Sequence, residues 1–252
     1  MAILRRANQR LLERFPGGNR YYLAGSKTGS RMLHVGEILW SPGSGMPPHI
    51  HPEPKAEESQ LMLDGELELV YDGITYTMGP GDVALAPPGV PHAWTNRSNK
   101  TARMITVFPM NDPTTKDVDA PSPKKGPQPR GVVFRKDMKS TVFAPGITRY
   151  DLVTEAQGAK STFFSMLYLE PGSKAPTHYH PATEEAQYIV KGELTAVYGN
   201  EVTVCRTGDL YLAEPGLRHG FTNKSDELAV LLAIHPVAKI ERVLVDDSDL
   251  PY

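Results

Sequence analysis

Two sets of three histidines and one glutamate recur along the 252-residue chain, and their residue types and spacing suit metal chemistry. In each set a His-x-His pair precedes a glutamate, and a third histidine stands 34 residues after that glutamate. Neutral imidazoles with one carboxylate bind divalent transition metals; Fe and Mn are favoured here, and Ni, Co or Zn also fit. The predicted metal ligands are His49, His51, Glu58 and His92 in the first set, and His178, His180, Glu185 and His219 in the second.

The two sets belong to a longer internal repeat. Matching residues lie 129 positions apart up to the His-x-His pair, as Pro42 and Pro171 do. From the glutamate onward they lie 127 positions apart, as Gly81 and Gly208 do. Two extra residues just before the glutamate of the first copy account for the change. The chain is therefore predicted to consist of two tandem copies of one unit, each with its own metal site.

Two features near the predicted ligands have more than one interpretation: the glutamate of the first copy and the glutamine that follows the glutamate in both copies. Because the extra residues adjoin the first glutamate, Glu57 is a rival ligand there, although the spacing to Gly65 favours Glu58. Gln60 and Gln187 stand two residues beyond the glutamates, so on a strand they share the glutamate's face. We predict both glutamines as catalytic candidates that bond a metal-bound oxygen, with orientation of the carboxylate as the alternative role.

Short strands are the elements that would position these side chains. Residues i and i+2 of a strand point to one face, so a His-x-His strand presents both imidazoles to one ion. Leu67 to Tyr71 and Ile74 to Met78 alternate around Asp72-Gly73, which predicts a β-hairpin with a type I′ turn. Only Ile3 to Arg14 has helical periodicity. The pattern predicts an all-β chain of two small barrels.

The composition between and after the copies suggests the domain limits. Residues 1–110 are predicted to form the N-terminal barrel and residues 131–252 the C-terminal barrel. Residues 111–130 combine several prolines with polar residues, which is typical of an extended linker. The tail from Lys239 onward is predicted to be a short closing segment of the second barrel.

The motifs around the ligands resemble those of a known superfamily. The first copy reads Gly43-x5-His49-x-His51, Glu58-x6-Gly65 and Gly81-x5-Pro87-x-Gly89-x2-His92-x3-Asn96. The second reads Gly172-x5-His178-x-His180-x4-Glu185-x6-Gly192 and Gly208-x5-Glu214-x-Gly216-x2-His219-x3-Asn223. These stretches resemble the two cupin motifs, and the whole chain resembles a bicupin. The resemblance implies two tandem double-stranded β-helix (jelly-roll) barrels with a metal inside each.

The predicted chemistry follows from the ligand set and its neighbours. Four protein ligands leave two positions of a six-coordinate metal for a bidentate substrate, or for substrate and O2. Strand parity adds Met62 and Ile189 to the walls. Trp94 and Phe221 share the face of the third histidines and are expected in the barrel core rather than in contact with substrate, and the pocket as a whole is predicted to be mainly apolar. The stretch 47–51 resembles quercetinase-like dioxygenases, and neither His-x-His pair follows an arginine as in oxalate decarboxylases. We predict a metal-dependent dioxygenase for a small apolar or aromatic enol or hydroxyl compound.

Other functions stay open at this point. The same metal as a Lewis acid suits an isomerase, cyclase, decarboxylase or hydrolase. A non-enzymatic small-molecule-binding protein is a third alternative, and one barrel could be catalytic while the other holds a structural metal. The net charge of −2 favours neither a nucleic-acid nor a membrane partner. With one cysteine, no secretory segment and no apolar run of membrane length, a cytoplasmic protein is expected, and a homo-oligomer is compatible with the sequence.

Overall fold

The computed structural model describes residues 3–246 and residue 248 of the chain. The end of the predicted closing tail, at residues 247 and 249–252, lies outside the described residues. The described part contains 24 strands and four 3-10 helices, at Arg6–Asn8, Ser26–Thr28, Arg135–Asp137 and Glu155–Gln157. No helix in this part is long and apolar enough to cross a membrane.

The strands are short and divide evenly between the two repeats. The first twelve are β1 (Ile3–Leu4), β2 (Leu11–Phe15), β3 (Gly18–Ala24), β4 (His34–Trp40), β5 (Gly45–Ile50), β6 (Glu58–Asp64), β7 (Leu67–Tyr71), β8 (Ile74–Met78), β9 (Val83–Ala86), β10 (His92–Thr95), β11 (Ala102–Phe108) and β12 (Lys116–Asp117). The second twelve are β13 (Val132–Val133), β14 (Ser140–Ala144), β15 (Ile147–Val153), β16 (Phe163–Leu169), β17 (His178–Tyr179), β18 (Glu185–Lys191), β19 (Glu193–Tyr198), β20 (Glu201–Arg206), β21 (Leu210–Ala213), β22 (His219–Thr222), β23 (Ala229–His235) and β24 (Val243–Leu244).

Each barrel consists of a seven-stranded and a five-stranded sheet. In the first barrel their orders are β13-β9-β6-β11-β4-β3-β2 and β12-β5-β10-β7-β8. In the second they are β1-β21-β18-β23-β16-β15-β14 and β20-β19-β22-β17-β24. The predicted all-β fold of two tandem barrels is confirmed. The β7–β8 hairpin turns at Asp72 and Gly73, whose φ angles of 46° and 82° are the positive values that a type I′ turn requires.

The two repeats exchange their first strands. Ile3–Leu4 pairs with β21 of the second barrel, and Val132–Val133 pairs with β9 of the first. Each barrel is therefore completed by a strand of the other repeat, and the predicted limits at 110 and 131 do not coincide with the limits of the sheets. The segment Ile3 to Arg14 also differs from its helical periodicity, because it forms β1, a 3-10 turn and part of β2.

The proline-rich segment between the repeats is part of the first barrel. Lys116–Asp117 pairs with β5, beside the His-x-His pair. Its counterpart in the second repeat is Val243–Leu244 in the tail, which pairs with β17. Part of the predicted linker is therefore an extended strand paired with a sheet of the first barrel. The tail closes the second barrel in the same way.

The two seven-stranded sheets pack face to face and bury a shared hydrophobic core. This core includes Leu23, Val35 and Leu61 of the first repeat with Phe164 and Leu232 of the second. Burial of apolar area at about 25 cal/mol per Å² makes such a core the main stabilising term between the barrels. The interior of each barrel has its own apolar cluster. This packing holds in place the two sheets that carry the metal-site residues.

Candidate metal centres

The first candidate centre lies inside the first barrel and joins its two sheets. His49 on β5 and His92 on β10 are paired residues of neighbouring strands in the five-stranded sheet, and His51 directly follows β5. Glu58 begins β6 on the opposite sheet. Its Oε2 atom lies 3.1 Å from His51 Nε2 and 2.8 Å from His92 Nε2. One ligand atom from each of the four residues lies within 4.8 Å of the others.

The second candidate centre repeats this geometry. His178 on β17 is paired with His219 on β22, and Glu185 begins β18 on the opposite sheet. Glu185 Oε2 lies 2.9 Å from His180 Nε2, 2.7 Å from His219 Nε2 and 3.7 Å from His178 Nε2. The structure thus brings together the four residues predicted in each copy. All eight side chains are buried.

A backbone carbonyl fixes the tautomer of each of the six histidines. A carbonyl oxygen can only accept, so each Nδ1 carries the hydrogen and leaves the Nε2 lone pair for a metal. His51 Nδ1 donates to Thr114 O and His180 Nδ1 donates to Glu241 O, both at 2.6 Å. The other four donate to the carbonyl two residues earlier: His49 to Pro47, His92 to Val90, His178 to Pro176 and His219 to Leu217. In all six imidazoles the Nε2 atom is therefore available to bind a metal ion.

The donor sets fit a divalent transition metal. Burial alone would raise the pKa of Glu58, but the close approach of the His51 and His92 side chains holds that pKa well below its ordinary value. In Glu185 the same effect of burial is outweighed by His235 and by the cluster histidines, and the pKa is again low. Each cluster therefore offers an ionised carboxylate and oriented imidazole nitrogens, the set that Fe, Mn, Co, Ni or Zn binds.

The structure resolves the choice between Glu57 and Glu58. Glu57 accepts hydrogen bonds from the backbone N–H groups of Lys160 and Ser161 in the second repeat, at 2.7 and 2.8 Å. Its counterpart Glu184 likewise accepts from the backbone of residues 31 and 32 in the first repeat. Glu57 is thus part of the contact between barrels, and Glu58 belongs to the cluster.

The two glutamines differ in their contacts. Gln187 Nε2 donates to Glu185 Oε1 at 2.8 Å, so Gln187 orients the carboxylate. The described residues show no equivalent bond between Gln60 and Glu58, and Gln60 Oε1 has no hydrogen-bond partner among them. Of the two, only Gln187 lines the cavity beside its cluster. Their catalytic role stays a prediction, and the contact found at Gln187 is the orienting one.

This difference gives a direct prediction for metal affinity. We expect Gln187→Ala to weaken metal binding at the second cluster roughly 10–100-fold, the usual loss when a hydrogen-bonded partner of a ligand is removed. A titration of the metal-loaded protein with a competing chelator measures the change. Gln60→Ala is the matched control and should leave the first site's affinity nearly unchanged. Equal weakening of both sites would contradict the orienting role.

The cavities beside the two clusters have different walls. The second, of about 400 Å³, is lined by apolar side chains that include Phe143, Phe163 and Phe221, together with Arg149 and Arg242. The first, of about 260 Å³, is lined by Arg14, Arg20 and several polar groups. The predicted apolar pocket is found in the second barrel only. The predicted wall residues Met62 and Ile189 lie deeper in the apolar cores of the barrels. Trp94 lies in the core as expected, whereas Phe221 also lines the second cavity.

Two further histidines adjoin the clusters, and the repeat comparison missed them. His34 pairs across strands with Phe108, and Phe163 pairs with His235. The repeat offsets align His34 with Phe163 and Phe108 with His235, so the same His-Phe pair is present in both barrels with its members exchanged. His235 Nε2 lies 3.7 Å from Glu185 Oε1. The sequence contains eight histidines, and only six of them were assigned to the metal sites. The two that remained were the signal that could have pointed to His34 and His235.

Comparison with known proteins agrees with this geometry. A family model of the cupin domain matches residues 36–108 and 165–235, more than half of the chain. "Polyketide synthase CurC" of Streptomyces cyaneus is 31% identical over 121 residues, which cover 48% of this chain and 79% of that protein. "Tetracenomycin polyketide synthase protein TcmJ" of Streptomyces glaucescens is 35% identical over 109 residues, or 42% and 72%.

Further similarities are partial or concern the fold. Quercetin 2,3-dioxygenase of Bacillus subtilis is 41% identical over 66 residues, which cover 25% of this chain and 19% of that enzyme. The oxalate decarboxylase of Lactobacillus farciminis superposes with a TM-score of 0.80 at 15% identity, covering 97% of this chain and 88% of that chain. At that identity the match shows the shared two-barrel fold. The chain therefore belongs to the cupin family, and its two matched regions make it a bicupin.

Proposed function

We propose that this bicupin is a metal-dependent dioxygenase that acts on a small aromatic or apolar enol or hydroxyl compound in its second barrel. The observation that carries the proposal is the cavity of about 400 Å³ in which His178, His180 and Glu185 share the wall with apolar side chains. Arg149 in this wall pairs with Asp151, whose Oδ1 lies 2.8 Å from the arginine Nε, and Arg242 lies against the Phe143 ring. A ring with one polar edge would fit between the cluster and the phenylalanines.

The relatives support this choice in two ways. Quercetin 2,3-dioxygenase is an oxygenase by name, and its 41% identity falls on a short part of both chains. Two other relatives carry polyketide synthase names, and polyketide chains contain β-keto groups that enolise readily. Both lines agree with an enolic or phenolic substrate. The fold similarity to oxalate decarboxylases keeps a Lewis-acid decarboxylase as the alternative.

The residues of the second barrel have distinct tasks in such a reaction. A divalent metal held by the cluster would supply Lewis-acid charge and, as iron or manganese, a redox centre for O2. Phe163 and Phe221 exclude water from the substrate face, and Gln187 holds the Glu185 carboxylate in place. His235 lines the same cavity, and its Nδ1 atom has no hydrogen-bond partner within the described part of the chain.

Oxygen consumption tests the proposal. The Fe(II)- or Mn(II)-loaded protein is expected to take up one O2 per substrate consumed from a panel of quercetin, catechol and acetylacetone. His178→Ala should abolish the uptake, and His49→Ala separates the contribution of the first barrel. Turnover that continues without O2 would replace the dioxygenase with a Lewis-acid isomerase, cyclase, decarboxylase or hydrolase. Binding of panel compounds without turnover would indicate a binding protein.

A further inference from the structure

The same arginine has different partners in the two barrels. Arg20 on β3 and Arg149 on β15 are equivalent in the repeat, and each lines the cavity beside its cluster. Arg149 forms an ion pair with Asp151. Tyr22 occupies the position equivalent to Asp151, and the Arg20 guanidinium lies 5.7 Å from the centre of its ring. The carboxylate that pairs with Arg149 is therefore replaced by an aromatic ring at Arg20. Arg242 also lines the second cavity, where its guanidinium lies 5.2 Å from the centre of the Phe143 ring.

Within the described residues, no carboxylate forms an ion pair with Arg20. Its side chain is half-buried, and burial together with the nearby Arg14 lowers its pKa. Lys27 also lines the cavity. The acidic lining residues are Glu58, which belongs to the metal cluster, and Asp112, which is exposed and accepts a hydrogen bond from Ser26. A partly buried cation without a counter-ion is costly, and a bound anion removes that cost.

His34 stands next to Arg20 and orients its guanidinium. Arg20 Nη1 lies 3.4 Å from His34 Nε2. Burial and the charge of Arg20 lower the pKa of His34 to about 4, so the imidazole is neutral at pH 7. Because a guanidinium can only donate, Nε2 is the acceptor and Nδ1 carries the hydrogen. This buried Nδ1–H has no partner among the described residues, although an unpaired buried donor costs about 1–3 kcal/mol.

The surrounding wall is shaped for this arginine. A Cβ atom on Gly36 would lie 3.0 Å from Arg20 Cδ, so a side chain there would press on the arginine stem. The cavity adjoins another of about 420 Å³ that shares Arg20 and Lys27, adds Arg10, and has no acidic residue among its described lining. The approach to the first metal cluster is therefore positively charged, which favours the entry of anions.

We propose that the first barrel binds a small organic carboxylate, held by the Arg20 guanidinium beside the first metal cluster, with His34 orienting that guanidinium. The second barrel then takes the uncharged aromatic compound. This inference deepens the proposed function, on which its division of substrates between the barrels rests. Arg20 and His34 are positioning residues that select the charge of the substrate, because the metal ligands are the same in both barrels.

Binding of benzoate and its uncharged isostere benzamide tests the proposal. Isothermal titration calorimetry would use the full chain both metal-loaded and metal-free, so that coordination to the metal is separated from binding to the arginine. The metal-free chain should bind one benzoate, and benzamide at least about 10-fold more weakly. Arg20→Gln should weaken benzoate binding roughly 10–100-fold, as expected for a lost charged hydrogen bond. The matched variant Arg149→Gln should not change it.

Exchanging the arginine partners provides a gain-of-function test. Tyr22→Asp should neutralise Arg20 and remove benzoate binding, whereas Asp151→Asn should free Arg149 and create a second benzoate site. Circular dichroism and thermal unfolding verify that each variant folds, and Asp151→Asn retains the test if Tyr22→Asp is unstable. Equal effects of Arg20→Gln and Arg149→Gln, or no benzoate binding to the metal-free chain, would overturn the proposal. Because no turnover is measured, these results are independent of O2 uptake by the second barrel.

Discussion

Replacing His219 with alanine is expected to lower the metal content from two ions per chain to one. His219 is fully buried, its Nε2 lies 2.7 Å from Glu185 Oε2, and its Nδ1 is committed to the carbonyl of Leu217. Removal of a direct ligand should weaken binding by more than the roughly 10–100-fold that follows loss of an outer partner. Elemental analysis by mass spectrometry after gel filtration measures the ions per chain.

Matched variants in the first barrel make this result specific. His92→Ala should remove the other ion and leave that of the second barrel in place, because the two clusters share no ligand. His34→Ala should retain both ions, since His34 lines the first cavity without belonging to its cluster. If one substitution removed both ions, the sites would be coupled, and if none removed an ion, the clusters would not be the metal sites.

Replacing Glu37 with glutamine is expected to lower the free energy of unfolding by about 3 kcal/mol, within the range for breaking a buried ion pair. The Glu37 side chain is fully buried. It accepts hydrogen bonds from Arg6 at 2.7 Å, from Arg103 at 2.7 and 2.9 Å, and from Tyr188 of the second barrel at 2.9 Å. The substitution leaves two guanidinium groups without their carboxylate at the contact between the barrels. Chemical denaturation measures the change.

An exposed ion pair provides the control for this prediction. Glu68 pairs with Arg97 at 2.8 Å, but the arginine side chain is 70% exposed. Glu68→Gln should therefore change the free energy of unfolding by less than about 1 kcal/mol, as is usual for surface pairs. If Glu37→Gln were as mild as Glu68→Gln, the buried network would not contribute to holding the barrels together.

The sequence determined the fold class and the membership of both metal clusters. His-x-His pairs, glutamates and third histidines recur at nearly constant spacing, and only side chains of those types can supply such ligands. Alternation around Asp72-Gly73 likewise fixed a hairpin, because the required positive φ angles favour those residues. These features depend on local geometry and residue type, and both can be recognised along one chain.

Contacts made by backbone atoms cannot be recognised from residue types or spacing in the sequence. Thr114 and Glu241 hold His51 and His180 through their carbonyl oxygens, which every residue type possesses. The segment around Thr114 therefore resembled a linker, although it completes the first site. The exchange of Ile3–Leu4 and Val132–Val133 was equally hidden, since two-residue strands have no periodicity and gain their stability from distant partners.

The tertiary structure alone decided what each metal cluster faces. The sequence assigned to two sets the eight residues that the structure brings together in two clusters, but it predicted one kind of apolar pocket for both barrels. Arg20 and Arg149 line the cavities beside the clusters from strands that precede the ligands in sequence. Whether such an arginine is paired depends on a carboxylate two residues further on, which is present at position 151 and absent at position 22. Spacing along the chain determines which side chains can share a metal. The packing of separate strands determines the charge and shape of the space beside it.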